Sequence, residues 1–477
     1  MMKILDVRNP PKDHDSREYI YNGMDCMVTK ELKDILLPEL DSHALLVYNY
    51  ERKILGPCME MMGRGMKVDE NARTKNKGLV TAKIDSLLRT WNAITESLCG
   101  HVVNPNSSHQ LKALFYIRMG IPEIVSTKGG QVKVTTGIEA IEKIKKTYPR
   151  GKFLAALLLK IRDHQKVLEV MEKKIDPDGR WRFSINVAGT DTGRFSSSES
   201  AFYTGSNIQN VDPALRDIFI PDDGKVINYS DLQGAESRAV AYLSGEKAYI
   251  EGVENGDIHT MVAAMVFGFA PERKLADRDF YNGKTYRDIS KMCGHASNYL
   301  ATPRTIATQG GIETAVAEDF QRRYFRAFPK IREWQQNTAT LLEKDGCLTT
   351  PLGRKRRFWG RLGDDATLRQ GLAFVPQSLI TDLMAIGIYR LWCARLAGVD
   401  ILAPIHDALV WQGPECNQNV NVPAVLKLLT VPCVVNGHTM TIPLDNEWGY
   451  NWGKQEKDKD GNVIGNERGL RKWKSAS

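Results

Sequence analysis

The sequence predicts an α+β fold, and three observations point to it. Leu and Ile recur at three- and four-residue intervals through LKDILLPEL and VTAKIDSLLRTW, the period of an amphipathic helix. Around Asp176 the texture changes: DPDGR reads as a turn, and WRFSINV and KVINYSD alternate or run apolar as strands do. The 477 residues also leave room for about three domains or subdomains, at roughly 100 to 200 residues each.

Taken in chain order, the stretch from about Met24 to Gly100 is largely helical. VVNPNSSHQLKALF then reads as a loop feeding a helix, with Asn106, Ser107 and Ser108 as cap candidates, and FLAALLLKIRDHQKVLEVMEKK as a long basic helix. After the strand-like WRFSINV comes a polar loop, GTDTGRFSSSES. KVINYSD ends in Asp231, and QGAESRAVAYLSG turns helical with Glu236, Ala239, Val240 and Leu243 on one face. A carboxylate therefore stands where a strand gives way to a turn. Several helices fill Asp257 to about Leu342, followed by the basic turn GRKRR, a helix from about Leu368 to Ala397, and the hairpin-like ILAPIHDALVWQ. The closing KQEKDKDGNVIGNERGLRKWKSAS is charged enough that a mobile tail is expected.

Composition narrows the function. With 42% hydrophobic and 26% charged residues the chain as a whole is globular and not disordered. The start, MMKILDVRNPPKDHD, has no apolar segment of the secretory type, and no uninterrupted apolar run approaches the ~18 residues of a membrane helix. An intracellular protein is expected, with no membrane partner. The eight Cys form no C-x-x-C pair and the nine His no H-E-x-x-H, so neither a zinc site nor a disulfide framework is indicated. A net charge of +8 is modest, but His101 to Arg180 holds fifteen Lys and Arg against eight Asp and Glu, concentrating +7 in one region. Such a patch suits a polyanion.

Two sets of residues suggest chemistry. Asp231 ends one strand and Asp407 lies near the tip of IHDALV; if a sheet sets these side by side, two carboxylates share a site and need a cation. All-oxygen ligation suits Mg²⁺, and two ions ~4 Å apart would serve phosphoryl transfer. Spacing alone leaves open that each Asp merely caps a turn. Arg287, Lys291, His295 and Tyr299 recur every four residues on a helix from roughly Lys284 to Leu300. Each such step turns about 400°, so the stripe drifts only about 40° per step over ~18 Å, the length of a nucleoside triphosphate. A solvated or half-buried helix face would look the same.

The collinear set resembles DNA polymerase family A, the class of bacterial DNA polymerase I and many phage replicative enzymes. DTGRFSS with NIQN, SDLQGAESRAVAYLSG, DIHTMVAAMVFG, RDISKMCGHASNYL, YFRAFPKI, TPLGRKRR and IHDALV resemble family segments in the family's order, from about Asn104 to Trp452. The resemblance implies a right-hand architecture of thumb, palm with antiparallel sheet, and helical fingers. Residues 1–45 would be a remnant resembling the end of an exonuclease domain, 46–175 the thumb, 176–240 and 380–477 the palm, and 241–379 the fingers. NPNSSHQL resembles the thumb loop that holds duplex phosphates, so salt would weaken binding steeply.

It also implies roles. Asp231, Asp407 and the Leu232 carbonyl would bind two Mg²⁺ ions, with Mn²⁺ as a substitute. Lys291 would join the two Asp as a catalytic group by protonating the leaving pyrophosphate. Arg287, Lys291, His259, His295, Tyr299 and Glu236 would bind the dNTP, with Glu236 filling the space of a ribose 2′-hydroxyl. Arg194, Gln377, His406, Arg369, Asn207 and Gln209 would touch primer–template DNA. The implied activity is template-directed addition of dNTPs to a primer 3′-hydroxyl in DNA replication. The alternatives weighed are a single-subunit RNA polymerase or reverse transcriptase-like enzyme, against which Glu236 argues, and an inactive primer-template binder.

Departures from the pattern are informative. Ala408 stands where the family has Glu after the catalytic Asp, Gly234 where Gln is common, and Ala373 where Asn is common. His295 replaces Phe or Tyr, implying altered discrimination of dideoxynucleotides. YNGMD, from Tyr21 to Asp25, resembles the last motif of a 3′-5′ exonuclease, and only about twenty residues precede it. Proofreading is therefore expected to be absent, with a separate exonuclease, helicase or processivity factor as further partners, and the architecture is expected to be phage-like.

Overall fold

A computed structural model describes residues 14–128, 131–458 and 462–474. The first part is helical, as its periodicity predicts: α1 spans His14–Leu36, α2 Ser42–Arg64 and α3 Glu70–Cys99. Asp41 starts α2 by accepting from the backbone N–H groups of His43 and Ala44, and Asp69 does the same for Asn71 and Ala72 in α3. Gly100, at φ 74°, ends α3 in the left-handed conformation that suits Gly. Helix α1 is exposed over most of its length.

The basic region is a subdomain with its own core. Ser107 caps a short helix, Ser108–Lys112, by accepting from the Gln110 N–H, and α4, Pro149–Glu172, lies against α3. Trp91, Phe115, Ile141, Leu158 and Ile161 pack into a hydrophobic cluster separate from the main one. Apolar residues turn inward and the Lys and Arg excess is left at the surface, so the charge is presented by an independently packed unit.

The palm is a five-stranded antiparallel sheet: β1 Lys225–Leu232, β2 Asp400–Ile405, β3 Ala408–Pro414, β4 Leu444–Gly449 and β5 Arg471–Lys472, in the order β2-β3-β1-β4-β5. Its register sets one polar ladder on one face, where Trp411 donates to Ser230, Ser230 to Asn446 and Asn446 to Asn228, at 2.9, 2.7 and 2.8 Å. Alternation then sends Tyr229, Asp231, Asp445 and Glu447 to the other face. A slip of one residue would exchange the two faces, so the buried ladder fixes where the carboxylates point.

Strand β5 corrects the expectation of a mobile tail. Glu447 and Trp448 pair with Lys472 and Arg471, Leu470 is buried, and the Trp473 N–H donates to the Asn446 carbonyl at 2.8 Å. Just upstream, Glu456–Lys457 pairs with Val463–Gly465. An edge strand needs few apolar residues and tolerates charge on its open side, which is why this segment reads as a tail.

Four further helices carry or support the candidate site residues: α5 Ala235–Ser244, α6 Ile258–Phe267, α7 Tyr286–Asn298 and α8 Asp365–Ala394. Thr285 and Asp288 form a reciprocal capping box that starts α7 two residues after the predicted Lys284, and Tyr299 is its C-cap. Helix α8 is long and apolar enough by composition to cross a membrane, yet 83% of that window is buried inside the protein. The expected palm–fingers boundary at 380 falls inside α8, and the thumb boundary at 46 falls inside α2. The helices run through those points because their buried faces continue, so subdomains meet along shared helices.

The GRKRR segment lies at a hairpin between Cys347–Thr349 and Lys355–Arg357. Its cations are largely committed inside the protein: Arg354 to Asp382 and Glu51, Lys355 to Asp41, and Arg356 to Asp191. Part of this basic turn, Arg354 above all, is therefore a structural tie.

Candidate active site

Strands β2 and β3 are joined by a two-residue loop, His406–Asp407, with Ile405 paired to Ala408. His406 sits at φ 55°, in the left-handed region that His enters more readily than most residues. The tight loop places Asp407 beside the end of β1, and the Leu232 N–H donates to the Asp407 carbonyl at 3.2 Å. Both Asp side chains are half-buried, Asp231 near the end of β1 and Asp407 in the loop beside it. Burial and then the Asp407 charge push the Asp231 carboxyl up to about 7, and burial also raises Asp407. Both cannot ionise freely without a cation.

These donors fit a hard divalent ion. They are oxygen ligands, and the Leu232 backbone lines the same cleft. Among the described residues no group of three or more His, Cys, Asp or Glu could hold a metal alone.

The raised Asp231 pKa has a measurable consequence. Between roughly pH 4 and pH 7 the folded protein holds a proton there that the unfolded chain has released, so this group's contribution to stability declines as pH rises through that window. In chelator, Asp231→Asn is therefore expected to unfold at a higher temperature relative to wild type at pH 8 than at pH 4. A constant difference across pH would refute the assignment.

Opposite the carboxylates, one cleft of about 980 Å³ is lined by Asp231, Leu232, Glu236, His259, Arg287, Lys291, His295 and Asp407. Arg287, Lys291 and His295 of the α7 stripe thus line the cleft opposite the strand end, while Tyr299 is not among the lining residues. Arg287 donates from both Nε and Nη2 to Asp257, and Arg273 contacts the same carboxylate at 3.2 Å. Burial would raise Asp257, but Arg287 outweighs it and holds the carboxyl at about 2. Asp257 also accepts from the His259 N–H and the Thr260 hydroxyl, which starts α6. Burial lowers the His259 pKa to about 4, so its ring is neutral at pH 7.

Glu236, in the first turn of α5, meets three donors. Arg194 Nη2 reaches Oε1 at 3.3 Å, His295 Nε2 lies 3.0 Å from Oε2, and Tyr299 donates to Oε2 at 3.5 Å. Burial would raise this carboxyl too, yet the His295 contact leads a set of interactions that keep it below the usual range. Arg194 is steadied because Thr192 accepts from Ser378 on α8 and Thr190 bonds the Arg194 carbonyl.

The remaining DNA-contact expectations lie outside the cleft lining. His406 and Arg369 are exposed and Gln377 is half-buried on α8. Asn207 caps a single helical turn by accepting from the Gln209 N–H at 3.0 Å. Gln209 is buried and donates to the Pro404 carbonyl at 3.4 Å, bracing the β2–β3 hairpin close to its His406–Asp407 loop.

Sequence reasoning singled out Ala408 but missed Asp445 and Asp257 as neighbours. Ala408, fully buried, lies directly across from Asp231 on β3, while Asp445 holds the corresponding position on β4. Asp445 accepts from Gln233, and Lys454 pairs with Glu447 nearby. Asp257 had a signal, since it stands two residues before His259; Asp445 had none, because only the register brings it to Asp231. Gly234 opens α5 at φ 57°, a conformation costly for the Gln common at that place. Ala373 is half-buried on α8.

Residues 77–454 match the family model described as DNA polymerase family A. "DNA polymerase I, thermostable" of Thermus filiformis is 26% identical over 457 residues, covering 91% of this chain and 51% of that protein. Its namesake from Thermus aquaticus is 28% identical over 341 residues, covering 67% and 38% respectively. The chain spans about half the length of the first of these curated relatives or less. Among solved structures, the POL domain of Pol1 from M. smegmatis, in complex with DNA primer-template and dNTP, superposes with a TM-score of 0.70 at 22% identity, over 84% of this chain and 70% of that one. The fold is accordingly that of a right-hand polymerase domain.

Proposed function

The chain belongs to DNA polymerase family A, and from that premise we propose that it adds dNTPs to a primer 3′-hydroxyl under template direction by a two-metal mechanism. The observation that carries this reading is that Asp231 near the end of β1 and Asp407 in the adjoining β2–β3 loop line one cleft with Arg287 and Lys291. Asp231, Asp407, the Leu232 carbonyl and substrate phosphates would hold Mg²⁺, which when bound would supply Lewis-acid activation of the attacking oxygen and charge neutralisation at the leaving group. Lys291 holds the triphosphate near the reacting phosphorus and donates a proton to the departing pyrophosphate. Arg287 reaches the outer phosphates, exchanging part of its contact with Asp257 for them. Neutral His259 donates a hydrogen bond and adds no charge. Glu236 occupies the space of a 2′-hydroxyl and selects deoxynucleotides. The basic thumb grips duplex phosphates.

Primer extension on a defined template with Mg²⁺ tests the reading. Templated addition by wild type is expected, and its absence would refute the proposal. Arg287→Ala should raise the KM for dNTP by about tenfold or more, because one charge-assisted contact is lost; an unchanged KM would remove Arg287 from the nucleotide site. We further propose that this chain does not proofread. Tyr21 and Asp25 lie on the exposed helix α1, which joins no described sheet. A mispaired primer incubated with Mg²⁺ and no dNTP should keep its length, and shortening would overturn that part.

A further inference from the structure

We propose that His295 is a positioning residue for the sugar gate, holding the Glu236 carboxylate so that selection at the sugar 2′ position depends on the fingers helix. The proposal rests on the polymerase reading above and adds a specificity role for one side chain.

The two residues come from different elements. Glu236 projects from the first turn of α5 and His295 from the third turn of α7, and both line the cleft. Their side chains retain 25% and 49% exposure, so the contact forms on the cleft wall, where an incoming nucleotide would pass. His295 Nε2 approaches Oε2 at 3.0 Å while Arg194 engages Oε1 at 3.3 Å. A carboxylate held at both oxygens from opposite sides has its plane fixed, where one held at a single oxygen can swing about its terminal torsion. The Tyr299 hydroxyl also reaches Oε2, but at 3.5 Å, the longest of the three contacts. The His295 ring in turn stands edge-to-face against Tyr299, with centroids 5.3 Å apart and planes at 79°, which orients its Nε2 toward Glu236.

A Phe in place of His295 would keep the packing on Tyr299 and lose the donor, leaving Oε2 with only the long Tyr299 bond. The carboxylate would then be free to yield to a 2′-hydroxyl. A Gln would keep a donor of similar reach without an aromatic ring. The pair of variants thus separates hydrogen bonding from ring packing.

The test is single-nucleotide addition on one primer–template, comparing kcat/KM for a dNTP and the matching rNTP in wild type, His295→Phe and His295→Gln. The dNTP to rNTP ratio should fall by about tenfold in His295→Phe, the size expected for one charge-assisted hydrogen bond, and recover at least half of that loss on a logarithmic scale in His295→Gln. An unchanged ratio in His295→Phe, or an equal fall in both variants, would overturn the positioning role. Failure of wild type to add either nucleotide would instead overturn the polymerase reading on which it rests.

Discussion

Asp407→Ala is expected to lower primer extension in Mg²⁺ by about 10³-fold or more, because several kcal/mol of charge stabilisation disappear with one of the two shared carboxylates and each 1.36 kcal/mol is tenfold in rate. Ala408 already occupies the next position and Asp445 is tied to Gln233, so little nearby carboxylate is placed to compensate. The fold should survive. Asp407 sits in a two-residue loop, and removing it takes away a charge that pushes Asp231 up to about 7. The metal-free variant should therefore unfold at or above the wild-type temperature at pH 8, and the Asp231 pKa should drop. Single-turnover extension with thermal unfolding in chelator measures both. Near-normal extension, or lost activity together with a lower unfolding temperature, would contradict the catalytic assignment.

The second large effect concerns stability. Asp382 on α8 is fully buried and accepts from Arg354 Nε and Nη2 at 3.0 and 2.8 Å, while the Tyr50 hydroxyl also donates to it. Arg354 donates further to Glu51 at 2.7 Å. Burial works against the charge on Arg354, but its bonds to Asp382 outweigh that and keep the guanidinium ionised. The network joins α2, the Gly353 turn and α8. Asp382→Ala would strand the cation and is expected to cost about 3–5 kcal/mol, measured by denaturant unfolding. Replacing both partners, as Arg354→Met with Asp382→Leu, should recover most of that loss, since an apolar pair leaves no orphan charge. The tie also reaches the nucleotide gate: a Cβ on Gly193 would lie 2.5 Å from the Arg354 guanidinium carbon, so Arg354 packs directly under the residue preceding Arg194. A destabilisation under about 1 kcal/mol would show that the network is slack.

What was legible in the sequence was what local chemistry determines. The strand ending at Asp231, the hairpin around Asp407, the Ser107 cap and the stripe of α7 each follow from periodicity or capping within a dozen residues. That stripe is incomplete in one respect: Tyr299 lies just past the helix and reaches Glu236 from its C-cap. Partners distant in sequence were hidden. Arg287 is held by Asp257 and Arg354 by Asp382, pairings that only packing brings about. The meeting of His295 with Glu236 belongs to the same class, because no spacing rule links α7 to α5. Charge misled once, making a sheet strand resemble a tail.

The order of strands in the palm sheet bears on how the chain acquires its structure during synthesis. The thumb core is assembled from residues 91–161, a contiguous stretch whose contacts are mostly short in sequence. The palm waits much longer: Asp231 is flanked by Ala408 and Asp445, and the sheet closes only when Lys472 reaches Glu447. A ribosome releasing residues from the N-terminal side would thus present that packed unit well before Asp231 and Asp407 had neighbours. Until then β1 stands with unsatisfied edges, and its wait for non-local partners makes the palm the slow, aggregation-exposed step. Slowing translation late in the message should prolong that exposure.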